Sequence, residues 1–267
     1  MKQIIKRGSF FTLMFMLLGC LSLYAADNNL ITKQITIEME KAGTLPDRIA
    51  SSKKYKITNL KIIGEINGTD LKMIREMAGS NNTYGKLSVL DLSEAKIVEG
   101  GDYYYKDYYT SNDVIGSYAF YGCSGLTSLT LPAGITKISS YAFYGCSGLT
   151  SLTLPAGITK ISSYAFYGCS GLTSLTLPAG ITEISDYAFK GCSGLTSLTL
   201  LAGIIFSIGE GVFNGCRGLT SIYVYAEKVP KIWYDIFEGF DAKKCTLYVP
   251  MGTMITGSLT LAATLRT

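Results

Sequence analysis

Histidine is absent from all 267 residues. That absence removes Ser-His-Asp and Cys-His nucleophile systems and every zinc site that needs an imidazole. Charge is also scarce, with Asp, Glu, Lys and Arg making up 16% of the chain. Setting aside residues 1–25 takes away Lys2, Lys6 and Arg7 and leaves 21 positive against 20 negative side chains. No clustered Lys/Arg footprint remains, so no nucleic-acid partner is expected. Beyond the first 25 residues no apolar run approaches the roughly 20 residues that a membrane-spanning helix needs. Phosphate loops are missing too: Gly209-x-Gly211 is followed by Gly215, one residue late for a dinucleotide fingerprint. Ser51 and Lys54 satisfy S-x-x-K but lack the companion motifs of serine acylases, and read as a solvated loop. Asp91, Glu94 and Glu99 are the carboxylates left for acid–base chemistry. The sequence therefore predicts no enzyme, no cofactor and no metal site.

What is present begins with a leader. A basic head, MKQIIKR, precedes an apolar stretch from Phe10 to Leu23 and the small residues Ala25-Ala26, the order of a secretory signal peptide. Cleavage after Ala25 is expected. A second reading stays open, because Leu17-Leu18-Gly19-Cys20 resembles a bacterial lipobox that would place a lipid anchor on Cys20.

The dominant feature is repetition. YAFYGCSGLTSLTLPAGITKISS occupies Tyr118 to Ser140, recurs unchanged at Tyr141 to Ser163, and returns nearly intact from Tyr164. Cys123, Cys146, Cys169 and Cys192 lie 23 apart, and Cys216 follows after 24. A fixed period of this length signals a solenoid whose units bury their apolar faces only against one another. In the first copy the inward set is Ala119, Phe120, Cys123, Leu126, Leu129, Leu131, Ile135 and Ile138. Alternation through Ser128-Leu129-Thr130-Leu131 predicts a short strand, and Pro132 removes the donor that would extend it. Degenerate copies at Ile57–Ile62, Leu87–Leu92, Leu219–Val224 and Thr246–Val249 bring the count to about eight parallel strands, a sheet on the order of 35–40 Å long. The longer spacings upstream leave room for a helix over Asp70–Ala78, with Thr69 as N-cap, and for a tyrosine-rich insertion at 100–113. A first strand near Gln34–Met39 completes an N-terminal α/β cap. The expected organisation is a leader over 1–25, a cap with an irregular repeat over 26–80, a solenoid over 81–250, and an atypical tail over 251–267. That tail, MITGSLTLAATLRT, lacks the polar closure a terminal repeat needs and suggests a shortened or frame-altered end.

The stretch IGSYAFYGCSGLTSLTLPAGITKI resembles the BspA-like, or Treponema-type, leucine-rich repeat family of exported bacterial surface proteins. The resemblance runs from about Ile115 to Pro250 and rests on Ala-Phe, Cys, three leucines and Pro at fixed offsets. It implies an α/β repeat solenoid, secreted or held at the outer surface of a bacterium, with an adhesive role. It supplies no catalytic residue.

Three side-chain arrays could serve such a role. One outward column on the strands runs Lys61, Asp91, Thr130, Thr153, Thr176, Thr199, Tyr223, Tyr248, and its neighbour is mostly serine; both also read as soluble, strand-favouring filler on a sheet. Tyr223 and Tyr248 at its end are the stronger binding candidates, since aromatics dominate interface hot spots. A second array is Tyr118, Tyr141, Tyr164, Tyr187 beside Tyr121, Tyr144, Tyr167, which reads as a shield over the core. The third is the insertion, with Tyr103, Tyr104, Tyr105, Tyr108 and Tyr109 within seven residues, more than a turn requires and suited to protein or sugar contact. Six cysteines follow the leader, and their Leu-like positions predict buried thiols. The expected function is binding of a host or bacterial surface protein or glycan by a monomer. The alternative is a spacer that binds nothing.

Overall fold

The computed structural model describes residues 29–80, 83–201, 207–225, 238–239 and 243–249; the expected leader over 1–25 with Cys20 and the expected atypical tail over 251–267 lie outside them. In chain order the first strands are β1 (Ile35–Met39), β2 (Asn59–Ile66) and β3 (Val89–Ile97). Between β1 and β2 lie two short helical turns, α1 (Leu45–Arg48) and α2 (Ser51–Lys54), and between β2 and β3 one longer helix, α3 (Gly68–Met77). A hairpin follows, β4 (Gly100–Tyr105) with β5 (Tyr108–Thr110). The repeats then supply β6 (Val114–Ile115), β7 (Ser128–Thr130), β8 (Lys137–Ile138), β9 (Ser151–Thr153), β10 (Lys160–Ile161) and β11 (Ser174–Leu177). They continue with β12 (Glu183–Ile184), β13 (Ser197–Leu200), β14 (Ser207–Ile208), β15 (Ser221–Val224) and β16 (Thr246–Tyr248).

The main sheet runs β1-β2-β3-β7-β9 and resumes as β11-β13-β15-β16, with every pair parallel. All eight segments with the L-x-x-L-x-L pattern, and the strand near Met39, lie in it. Leu129, Leu152, Leu175 and Leu198 stack in the core, as a period-2 strand with one buried face requires. A second parallel sheet, β14-β12-β10-β8-β6, forms the opposite flank around Ile115, Ile138, Ile161, Ile184 and Ile208. These two-residue strands were too short to announce themselves by alternation.

The third side of each repeat rung is a five-residue turn, Tyr-Ala-Phe-Tyr-Gly in the first three copies, with Lys190 in the fourth position of the next copy and Gly-Val-Phe-Asn-Gly at 211–215. It needs two left-handed residues, Tyr at φ 56–61° and Gly at 68–77° in the first four copies. Adjacent turns bond to each other: Phe120 N donates to Ala142 O at 2.7 Å and Gly122 N to Tyr144 O at 2.8 Å. Beneath them Phe120, Phe143, Phe166, Phe189 and Phe213 form a buried ladder with centroids 4.9–5.5 Å apart. The cysteine column is buried and free, and each thiol from Cys146 onward donates to the Phe carbonyl of the preceding rung, at 3.0–3.4 Å. Burial pushes the Cys123 and Cys169 thiols up to about 12, so these are inert core groups. Gly148, Gly171, Gly194 and Gly218 are required for a different reason: a Cβ there would lie 2.3–2.6 Å from a backbone carbonyl of the rung before.

Helix α3 begins differently from the expectation. Asn67, not Thr69, is the N-cap, closing a capping box with Asp70. The Asp70 carboxylate is buried and also accepts from Gly43 N and Leu45 N, which ties the turn before α1 to the helix start. Among the described residues all helices precede the repeats, and none is long and apolar enough to cross a membrane.

Candidate binding surface

The strand face carries the predicted columns in register. Lys61 pairs with Asp91, Asp91 with Thr130 and Thr130 with Thr153; beyond the break Thr176 pairs with Thr199, Thr199 with Tyr223, and Tyr223 with Tyr248. At its start the charges neutralise one another, with Lys61 Nζ 2.6 Å from Glu94 and 3.7 Å from Asp91. Burial opposes ionisation of Asp91, but bonds from Ser93 and the Lys61 charge outweigh it and hold its pKa below the ordinary carboxylate value. The bond to Glu94, with the Asp91 charge beside it, raises Lys61 in turn, so Lys61 and Asp91 each favour the charged form of the other. Ser51 sits on an exposed helical turn, and Lys54 pairs with Glu76.

Threonines on this side divide into two kinds. Thr127, Thr150, Thr173, Thr196 and Thr220 spend their hydroxyls on the carbonyl of the rung before. Thr130, Thr153, Thr176 and Thr199 make no such bond and point outward. Pairing stops between β9 and β11, where no backbone hydrogen bond joins 150–154 to 173–177 among the described residues. A shallow cavity of about 350 Å³ opens there, lined by Ser151, Thr153, Ser174 and Thr176 over Leu152 and Leu154. At the far end Tyr223 and Tyr248 stack at 4.5 Å and are half-buried.

The tyrosine insertion is the β4–β5 hairpin, and it does not stand apart from the tyrosine columns. Tyr105 stacks on Tyr118 at 5.1 Å and on Tyr121 at 5.7 Å, while Tyr108 meets Tyr118 at 5.0 Å. From there the rings continue rung by rung. Tyr118, Tyr141 and Tyr164 lie 5.0 Å apart and within 4° of parallel, and Tyr187 follows at 5.2 Å. Tyr121, Tyr144 and Tyr167 form a second stack at 4.8–5.1 Å. Burial, then the neighbouring phenols, raises the pKa of Tyr118 and Tyr144. Tyr187 donates to Glu210, and that bond, more than burial, pushes its phenol up to about 12. Gly211 takes the next tyrosine position; a Cβ there would meet the Tyr187 ring at 2.5 Å, so the ladder ends.

Tyr103 and Tyr109 project from the hairpin, 48% and 56% exposed, in an edge-to-face pair at 6.4 Å, with Lys72 Nζ 4.8 Å from the Tyr103 centroid. Tyr104 departs from its neighbours. It is 4% exposed, and its hydroxyl donates to Ser117 O at 2.7 Å. The reason lies in the first rung, whose turn carbonyls have no preceding rung to bond. Tyr104 supplies the donor for Ser117 O, and Arg75 on α3 supplies those for Ala119 O (3.0 Å) and Tyr121 O (3.5 Å) and adds a second to Tyr118 O, which already accepts from Tyr121 N. Arg75 is buried with its guanidinium 4.8 Å from the Tyr105 centroid. Sequence reasoning missed it, although Leu71, Arg75 and Ala78 are spaced to share the inner face of the helix.

Residues 113–244 match the BspA type leucine rich repeat region in six copies. No curated protein matches the chain. Among solved structures, a leucine-rich repeat protein from Bacteroides ovatus aligns over 81% of this chain and 52% of its own, at 20% identity and a TM-score of 0.43. The leucine-rich repeat protein of T. pallidum aligns over 74% of this chain and 72% of its own, at 21% identity and 0.42. The pneumococcal vaccine antigen PcpA aligns over 82% and 63%, at 19% identity and 0.45. The chain thus spans about half the length of the Bacteroides ovatus protein.

Proposed function

Residues 113–244 make this chain a member of the BspA-type leucine-rich repeat family, and from that premise we propose that it binds a protein at or outside the bacterial surface through its tyrosine hairpin and ladder, without transforming it. One observation carries the reading: two exposed rings, Tyr103 and Tyr109, stand where a continuous tyrosine face begins. Amphipathic rings with few torsions give contact area at low entropic cost and dominate hot spots. Within the ladder each ring's faces are covered by its neighbours, which leaves edges and hydroxyls outward. A sugar stacks on ring faces, so the geometry favours a protein over a glycan. The strand face, with Thr153 and Thr176 at its shallow cavity and Tyr223 and Tyr248 at its end, is the secondary candidate. Binding measured against a panel of immobilised surface proteins and a glycan array tests this. Changing Tyr103 and Tyr109 to Ser is expected to cost about 2 kcal/mol, roughly 30-fold in Kd, for a protein partner. Unchanged binding in the double variant refutes the assignment, and binding to glycans alone replaces the partner class. No binding in either format supports the spacer reading.

A further inference from the structure

The tyrosine ladder is arranged for a covalent reaction as well as for contact. The chain is stapled nowhere by sulfur, since all six cysteines outside the leader are free and buried. Among the described residues Met39, Met73 and Met77 are buried too. Among the described residues the oxidisable groups left at the surface are phenols, and those of the ladder lie rung over rung at 4.8–5.2 Å, half-buried with their edges outward. A dityrosine bond joins the carbons ortho to two phenolic oxygens, and in a near-parallel stack those carbons on one ring overlie their counterparts on the next. We propose that the ladder is an oxidative modification site, at which tyrosines of adjacent rungs couple to dityrosine and staple the solenoid.

The reaction balances with hydrogen peroxide and a haem peroxidase as the oxidising system. Each of two phenols gives up one electron and its hydroxyl proton, and one hydrogen peroxide is reduced to two waters. The two phenoxyl radicals form one carbon–carbon bond between ortho positions. The hydrogens on those carbons then move to the oxygens and restore both aromatic rings, for a net loss of two hydrogens. Partners held one rung apart couple faster than radicals that must meet by diffusion, so the product is intramolecular.

The test treats the mature chain with peroxidase and limiting hydrogen peroxide, and reads dityrosine fluorescence, mobility on a denaturing gel and intact mass. Expected are dityrosine emission from a band that stays monomeric and a mass loss of two hydrogens per cross-link. Changing Tyr118, Tyr121, Tyr144 and Tyr164 to Phe keeps the rings but leaves no ladder tyrosine beside another tyrosine of the ladder or of the hairpin. This variant should keep the wild-type circular dichroism spectrum and lose most of the emission. A variant with Tyr103→Phe and Tyr109→Phe should retain it. Emission found only in covalent dimers, equal emission from the ladder variant, or none at a dose that oxidises free tyrosine overturns the proposal.

Discussion

Replacing Arg75 by Met tests how the stack is closed at its first rung. Arg75 serves carbonyls of Tyr118, Ala119 and Tyr121 that no preceding rung can reach. Its loss strands the buried Ala119 carbonyl and weakens the satisfaction of two part-buried ones, at about 1–3 kcal/mol for each group left dry. Loss of the guanidinium over the Tyr105 ring adds on the order of 1 kcal/mol. Opposing this is the release of a buried cation, whose desolvation holds the Arg75 pKa below its ordinary value and which Met does not incur. One buried acceptor, Ala119 O, is left dry and the part-buried Tyr121 O loses its donor, while Tyr118 O keeps the bond from Tyr121 N at 3.1 Å; set against the relief of one buried charge, a net destabilisation of about 1–3 kcal/mol is expected. Urea unfolding followed by circular dichroism measures it, and hydrogen exchange should show the loss concentrated in residues 100–121. Arg75→Lys should fall between, because an ammonium cannot fork to three carbonyls. A Met variant within about 0.5 kcal/mol of wild type, at the scale of an ordinary surface change, would refute the capping argument.

Three further outcomes follow from the packing. Gly171→Ala places a Cβ 2.5 Å from Ser147 O and should destabilise more than Gly145→Ala, where nothing lies within 4 Å and the left-handed backbone alone costs about 1–2 kcal/mol; paired urea midpoints decide this. Stability should fall with alkali, because burial raises the Cys123, Cys146 and Cys169 thiols, and the bond with Cys216, then burial, raises Cys192, while unfolded thiols ionise near pH 8.5. The unfolded chain then holds fewer protons, so stability is full below about pH 8.5 and drops by up to about 1.4 kcal/mol per thiol per pH unit as pH rises towards 12; Cys169→Ala should flatten the slope, and a flat profile from pH 8 to 10 would contradict it. Deleting Tyr141 to Ser163 should leave a shorter folded rod, since it rejoins identical sequence and each rung contacts only its neighbours; loss of cooperative unfolding would count against this.

The sequence exposed the repeated parts of this fold most clearly. Alternation around Leu129 and its equivalents marked eight of the nine strands of the main sheet, all but the first at Ile35–Met39, and the Leu-like setting of the cysteines marked them as buried. The second sheet was hidden because Lys137-Ile138 and its copies are too short for a period to show. The sequence places the helix cap at Thr69, two residues late, since Asn and Thr both cap well and only the bond that Asn67 Oδ1 accepts from Thr69 N separates them. At the candidate surface, composition drew attention to the five hairpin tyrosines but could not sort them by side of the strand. Burial did so, turning Tyr104 inward as a cap and leaving Tyr103 and Tyr109 outside. That the hairpin and the tyrosine columns form one stack depends on where a 13-residue excursion from Ser117 back to Tyr104 folds. Arg75 escaped notice because its partners are carbonyls on a turn 43–46 residues away, and no side-chain pattern records carbonyls.

The central claim is that the tyrosine side of the solenoid, not its strand face, meets the partner. The direct test is site-specific photo-crosslinking, with a benzophenone amino acid placed at Tyr109 in one protein and at Thr153 in another, each illuminated with the partner identified in the binding panel. The account predicts a covalent adduct from position 109 and none from 153; an adduct from 153 alone would contradict it.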